Sequence, residues 1–422
     1  MLMPSRRALP AVLFLLVVPP LLAADYRVTV PAADVPRAGL VVELELPADV
    51  DVDAAHVLRD AKGRILPLQR SGGGRPASFV VAEVAAGEEP VFTLEPAGHA
   101  AGTTRVAASL VQREDGALSF QFAGNPVPLL TYWTTEQPRP RPDIGPLYSR
   151  GGFIHPVTTP AGVRVTESYA TGHPHQHGVW SPWTKTRFQD RTPDFWNMGQ
   201  GTGKVEVVGV DQSWVGAVHS GLVAHHRFVD LSAPEPVVAL NEQWVLTVFS
   251  PNAHAARPAH VFDLEITQTC ATKDPLILPE YRYGGLGYRG HEQWNGADRA
   301  FFLTSEGVTD RNQAHATRAR WCHIGGMVEG QLAGTAVLGH PANFRAPQPL
   351  RVHPKEPFVC FAPSQLGDWQ IEPGKPYVAR YRFVVMDGAP DAELIDAYWN
   401  AYAHPARARV EALPEAESVR SP

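Results

Sequence analysis

Cysteine is scarce in this chain, and so is every signature that would name a chemistry at sight. The three cysteines of the 422-residue sequence, Cys270, Cys322 and Cys360, form no close pair, so a zinc ribbon and a disulfide scaffold both fail. One bridge remains open, but the strand-like surroundings of Cys270 and Cys360 suit small buried hydrophobes better. A basic excess is missing too. With 37 Lys+Arg against 43 Asp+Glu and a net charge of −6, the chain has no positive field for phosphates, which argues against nucleic acid as a partner. Beyond the first two dozen residues no apolar run reaches the ~18 residues of a membrane span. No G-x-S-x-G, P-loop, H-E-x-x-H or kinase set occurs, which removes serine hydrolase, NTPase and zincin readings. Long helices are disfavoured by 40 prolines and 36 glycines.

What is present is an all-β pattern behind an export segment. Ser5-Arg6-Arg7, the apolar run Ala8 to Leu22 and Ala23-Ala24 have the charged head, greasy middle and small-residue exit of a signal peptide over 1–24. A Sec signal is favoured over a twin-arginine one, and the expected location is periplasmic or secreted. Residues 25–104 read as a small β-sandwich: Leu40, Val42, Leu44 and Leu46 alternate with Val41, Glu43 and Glu45. From 105 to 405, strand-like runs at Gly162–Ser168, Lys204–Val210, Val237–Phe249, Val261–Thr269, Thr335–Leu338 and Tyr377–Met386 predict a large antiparallel sandwich. One helix is expected near the end, capped by Asp391 with Leu394, Ala397, Tyr398 and Ala401 on one face. The stretch 406–422 reads as a loose tail.

Reactive side chains crowd into the second part. Every tryptophan follows Tyr132, and before it only His56 and His99 carry imidazoles. Gly172-His173-Pro174-His175-Gln176-His177-Gly178-Val179-Trp180 is the densest stretch. On a strand, His173, His175 and His177 would share a face and could ligate a divalent metal; as free imidazoles they would bind substrate or shuttle protons near neutral pH. Trp180, Trp183, Phe195 and Trp196, with Asp190 and Asp194 between them, would suit a sugar, whose C–H face packs on flat rings. A glycine-rich stretch from Glu280 to Glu292 contains a formal G-x-G-x-x-G at Gly285, Gly287 and Gly290. The dinucleotide reading fails because no buried strand precedes it and no amphipathic helix follows. The glycines are read instead as freedom for a loop carrying Glu280, Arg282, Arg289 and His291 toward a pocket. His340, at the exit of an apolar strand, is placed to face the same cleft.

The order Phe153-Ile154-His155-Pro156, Thr159-Pro160-Ala161-Gly162, Thr166-Glu167, His173-Pro174-His175, Gly178-Val179-Trp180, Asp194-Phe195-Trp196 and Gly339-His340-Pro341 resembles an exported bacterial family labelled "methane oxygenase PmoA" over roughly residues 130–390. That label is a misnomer for such a chain, since a particulate methane monooxygenase subunit is a multi-helix membrane protein. The resemblance implies a galactose-mutarotase-like β-supersandwich, a fold found in sugar epimerases, lyases and hydrolases. Relatives often read His-Pro-His-His-Arg where this chain has Gln176 and His177 in the last two places, so a role for that arginine does not carry over.

These readings predict a carbohydrate-active lyase, hydrolase or epimerase acting on a small-molecule or oligosaccharide substrate. His175 or His177 is the expected acid/base, with Asp194 or Glu280 as partner carboxylate and His340 in the same cleft. Arg289 is the expected substrate clamp, and His173, Trp180 and Trp196 would bind the sugar. This scheme requires no cofactor. The alternatives are a non-catalytic carbohydrate-binding or surface-assembly protein, and a metal enzyme with His173, His175 and His177 as ligands. The oligomeric state is left open.

Overall fold

A computed structural model of the chain describes residues 26–72, 74–97, 108–122, 125, 127–251 and 255–414. The export segment read at 1–24, His99 and the last part of the tail, 415–422, lie outside the described residues.

Alternation of apolar and polar residues makes the strands, and burying the apolar side makes the layers. In Val237–Phe249, Leu240, Trp244, Leu246 and Val248 are buried while Asn241, Gln243 and Thr247 turn the other way. This strand belongs to an eight-stranded antiparallel sheet whose spatial order is Gly203–Trp214, His219–Asp230, Val237–Phe249, Ala259–Cys270, Tyr377–Asp387, Gln331–Gly339, Trp321–Val328 and Ala300–Thr304. A second eight-stranded sheet runs Leu350–Val352, Phe358–Phe361, Leu286–Arg289, Val179–Trp180, Ile154–Val157, Leu130–Tyr132, Leu118–Gln121 and Ser109–Gln112. Their facing sides share one core, with Phe228, Trp244 and Leu264 from the first meeting Leu130, Ile154 and Tyr288 from the second. Each such side chain contributes ~1.5–3 kcal/mol by leaving water.

One polar chain crosses this core and is satisfied within it. Tyr132 Oη lies 2.7 Å from His226 Nε2, and His226 Nδ1 lies 2.7 Å from Glu242 Oε2. Gln268 Nε2 donates to Glu242 Oε1 at 2.7 Å, and Trp183 Nε1 donates to Gln268 Oε1 at 2.6 Å. All five side chains are buried, so the network ties sheet to sheet and is out of reach of a ligand.

The N-terminal part closes five- and four-stranded sheets around Val28, Leu40, Phe79 and Leu94, giving a small sandwich ahead of the large one. Its last strands come from the far end of the chain. Ala406–Arg407 pairs in parallel with Arg37–Glu45, and Arg409–Ala412 pairs antiparallel with Tyr26–Thr29. Residues 406–412, read as the start of a loose tail, are therefore held, because each sheet edge offers them a ladder of backbone partners. The helix forms at Ala392–Ala403, and Asp391 accepts the Leu394 N–H at 3.1 Å as its cap. Ile395, Ala397 and Tyr398 pack against Ala38 on one side and Trp321, Leu338 and Val384 on the other, wedging the helix between the two sandwiches. A single-turn helix, Arg311–Ala314, has no counterpart in the sequence reading.

Of the run Gly162–Ser168, only Ser168 is in a strand, as the first residue of Ser168–Ala170. Val163 and Val165 are buried as its pattern implied, but residues 162–167 make only isolated bridges, Thr158 with Arg164 and Thr166 with Gly290. All three cysteines are free, with Cys322 and Cys360 buried.

Candidate functional site

The histidine motif does form a strand, His173–His177, paired with Ser168–Ala170 in a two-stranded hairpin. Pro174 is tolerated because neither strand is central to a sheet. Ser168 pairs with His177 and Ala170 with His173, so three residues oppose five, and Tyr169 takes a left-handed φ of 52°. This bulge breaks the strict alternation that would have aligned three imidazoles. The hairpin is seated by a backbone junction: Gly178 N–H donates to Glu167 O at 2.6 Å, Arg289 N–H to Gly178 O at 2.7 Å, and Glu167 N–H to Arg289 O at 3.1 Å. Gly178 has a φ of +40°, and a Cβ there would stand 2.0 Å from Ile154 O, so only glycine fits the crossing.

Below the hairpin runs the Leu286–Arg289 strand. Leu286 and Tyr288 face the large core; Gly287 and Arg289 face outward, toward the hairpin and a layer of aromatic rings. Closeness of rings, rather than loop freedom, explains the glycines, since a Cβ on Gly287 would meet Trp196 at 2.9 Å and one on Gly290 would meet Trp294 at 2.6 Å. Arg289 has no exposed surface. Its Nη1 donates to Gln176 Oε1 at 2.8 Å and pairs with Glu356 Oε2 at 2.8 Å, while Nη2 donates to Asn295 Oδ1 at 2.5 Å. The guanidinium is thus a strut that fastens the hairpin, not the exposed clamp expected from sequence.

The imidazoles divide into two kinds. His177 is wholly buried, 3.1 Å from Ser168 Oγ through Nδ1, with its ring against Phe153 and Tyr169. Burial holds it well below the usual histidine range. His173 and His175 are half-buried, with ring centroids 5.7 Å apart, and His353 lies 5.7 Å from His173 on the other side. Burial, then the neighbouring His173, brings His175 down to about 4 against the opposing pull of Asp194. His353 falls to about 4 through burial and then Arg351. Its Nδ1 accepts the N–H groups of Lys355 at 3.3 Å and Glu356 at 2.9 Å, which leaves its proton on Nε2. At neutral pH this rim is a line of uncharged imidazoles. Among the described residues no three His, Cys, Asp or Glu side chains are arranged to hold a metal ion.

Several expected participants are placed elsewhere or otherwise engaged. Trp180 and Trp196 are fully buried with centroids 5.0 Å apart, in a cluster with Trp133, Phe153, Phe358 and Cys360. They are core and offer no face to a sugar, because Trp180, on its sheet strand, and Trp196, from the loop beyond it, pack on each other and on Phe358. The rings that do reach the surface are Tyr283, 5.3 Å from Trp196, and Tyr281, 4.9 Å from Tyr283. Asp194 is a turn cap: Oδ1 accepts the Trp196 and Asn197 N–H groups, each at 2.9 Å, and Oδ2 accepts Asn197 Nδ2 at 2.6 Å. It remains an electrostatic neighbour of both His175 and Tyr283. Glu280 is exposed, and no hydrogen bond or ion pair among the described residues joins it to the hairpin. His291 is spent between the Gln293 N–H and Arg164. His340 lines a separate cavity of about 250 Å³ with Arg320, Asn343, Phe361 and Trp399. Sequence reasoning missed His353, Glu356 and the two tyrosines; no spacing pattern connects them to the histidine motif.

The chain belongs to a family of unknown function, DUF6807, whose match spans residues 118–400 and so takes in the hairpin, Arg289, His353 and most of the helix. No curated protein matches the sequence. Among solved structures, an alpha-mannosidase from Enterococcus faecalis V583 is similar with a TM-score of 0.43 at 10% identity, covering 92% of this chain and 46% of that one. A protein in the glycosyl hydrolase family 38 from Enterococcus faecalis gives a TM-score of 0.39 at 10% identity, covering 92% and 47%. The chain therefore spans just under half the length of either.

Proposed function

We propose that this protein is an exported carbohydrate-active enzyme of lyase or epimerase type, in which His175 moves the proton. The observation that carries this reading is a half-buried imidazole, held neutral by burial, beside His173 and His353. A neutral histidine in that setting has a ring nitrogen free to take a proton from a C–H next to a carbonyl or carboxyl group, or from a sugar hydroxyl, and an anionic substrate beside it would raise the basicity that burial lowers. Hydrolysis by paired carboxyl groups is less well supported, because that chemistry needs two free ones. Asp194 is occupied by its turn and Glu356 by Arg289, and Glu280 is not joined to the hairpin. Tyr281 and Tyr283 supply flat faces for a sugar ring in place of the buried tryptophans.

Product analysis on a panel of neutral, uronic and oxidised oligosaccharides tests the proposal. The expected result is conversion of at least one by the wild type and a loss of ~10²–10⁴-fold in His175→Gln, at unchanged melting temperature. Equal rates in wild type and variant overturn the assignment of His175. Tight sugar binding with no turnover in either would make the protein a binding module instead.

A further inference from the structure

Resting on that reading, we infer that the same face holds a subsite for an oxyanion on the sugar, built from Arg351 and Arg282 with His315 and His353 beside them. The charge arrangement is the starting point. Arg351 lies on the short strand Leu350–Val352 at the edge of the sheet that carries Arg289, and its Nη1 reaches to 3.5 Å from His315 Nε2. Arg282 is exposed, with its guanidinium 5.9 Å from the centre of the Tyr281 ring and 5.7 Å from that of Tyr283. The two arginines are close enough to oppose each other's charge, and both also act on His315. Arg351 acts on His353 as well, which links this group to the imidazole rim.

Pairing makes the point sharper. Two neighbouring arginines have acidic partners: Arg289 has Glu356, and Arg164 has Glu167. Among the described residues no carboxylate pairs with Arg351 or Arg282, and His315 Nδ1 is a buried atom without a hydrogen-bond partner. Two like charges held together, one of them half-buried, are unfavourable unless a counter-charge arrives from outside. Guanidinium groups bind carboxylate, sulfate and phosphate by paired N–H donors, and tyrosine faces beside them accept the C–H side of the ring that carries the anion. Arg289 does not take this part because it has no exposed surface and both of its Nη groups are engaged by Gln176, Asn295 and Glu356.

The test is calorimetric titration with three probes: digalacturonate, its methyl ester, and galactose 6-sulfate. Arg282→Gln is an exposed change that leaves folding intact, and Arg351→Gln with the double variant completes the set. The expected result is that digalacturonate or galactose 6-sulfate binds the wild type, that the ester binds at least 10-fold more weakly than digalacturonate, and that the double variant loses at least 10-fold for the anionic probe. Digalacturonate alone behaving so identifies the oxyanion as a carboxylate, and galactose 6-sulfate alone as a sulfate. Equal binding of ester and acid with no response to galactose 6-sulfate, unchanged anion binding in the double variant, or no binding of any probe overturns the subsite.

His175→Gln keeps its failure apart from that of the enzyme reading. If a neutral sugar is turned over through His175 without regard to the arginines, the subsite falls and the enzyme stands. If anions bind through the arginines and His175→Gln turns them over as wild type does, His175 falls and the subsite stands.

Discussion

The hairpin carrying His173–His177 and the loop carrying His340 look alike as sequence, each built on a His-Pro step, yet they treat their polar atoms in opposite ways. Around His340 nearly everything is spent on the protein itself. Asn343 holds the backbone of Arg380 at both ends, at 2.8 Å each, and Arg320 stacks on Trp399 at 4.6 Å while pairing with Asp396 at 2.9 Å. On the hairpin, Arg289 fastens the scaffold beneath through its two Nη groups, while the rim above it is left open: His173 Nδ1 is a buried atom without a partner, and His175 makes no hydrogen bond among the described residues. A fastened scaffold under an open rim is what a preorganised site requires.

The largest effect is expected from attacking the scaffold. Arg289→Met leaves Glu356, Gln176 and Asn295 without their shared donor, and splitting a buried pair costs ~3 kcal/mol even with Glu356 partly in water. Urea unfolding of the variant should show that loss. If stability were unchanged, the hairpin would not depend on Arg289, and the contrast between scaffold and rim would fail.

Acid should produce a smaller and graded effect. Burial lowers His155 and His323 to about 3, and His175, His291 and His353 to about 4. The unfolded chain takes up protons near pH 6.5 that the folded chain refuses until about 4 or below. Stability is therefore full above pH 6.5 and declines as pH falls toward 3, because the unfolded state binds more protons across that window. Thermal melting between pH 7.5 and 4 follows it; a melting temperature that rises on acidification would mean that these imidazoles are charged in the fold. Turnover that depends on neutral His175 should persist to lower pH than an ordinary histidine allows.

Legibility in the sequence tracked how local the determining physics was. Val237–Phe249 was readable because one face is buried and the other is not, which writes a period of two into the residues themselves. Gly162–Ser168 carried the same pattern, but its backbone finds scattered partners in Val157–Thr159, His177, Gly178, Arg289 and Gly290, and alternation cannot report who the neighbour is. The histidine hairpin announced itself by composition. Trp180 and Trp196 misled because an aromatic ring serves a core or a binding face equally well, and what decides is the loop folded over it. The roles of Arg289 and His353 depend on partners from distant segments, so no spacing could have shown them.

The smallest predicted effect decides whether the two histidine regions are really different. His340 accepts the Ala342 N–H on Nδ1 at 3.1 Å and meets Tyr402 edge to face, with ring centroids 5.1 Å apart. Glutamine can replace part of that hydrogen bonding but not the ring contact, so His340→Gln should cost about 1 kcal/mol in urea unfolding. Turnover of the substrate found for the wild type should stay at the wild-type level, because no interaction among the described residues links His340 to the rim formed by His173, His175 and His353. A loss matching that of His175→Gln, at intact stability, would move the chemistry to the Trp399 cavity and make the hairpin the structural region of the two.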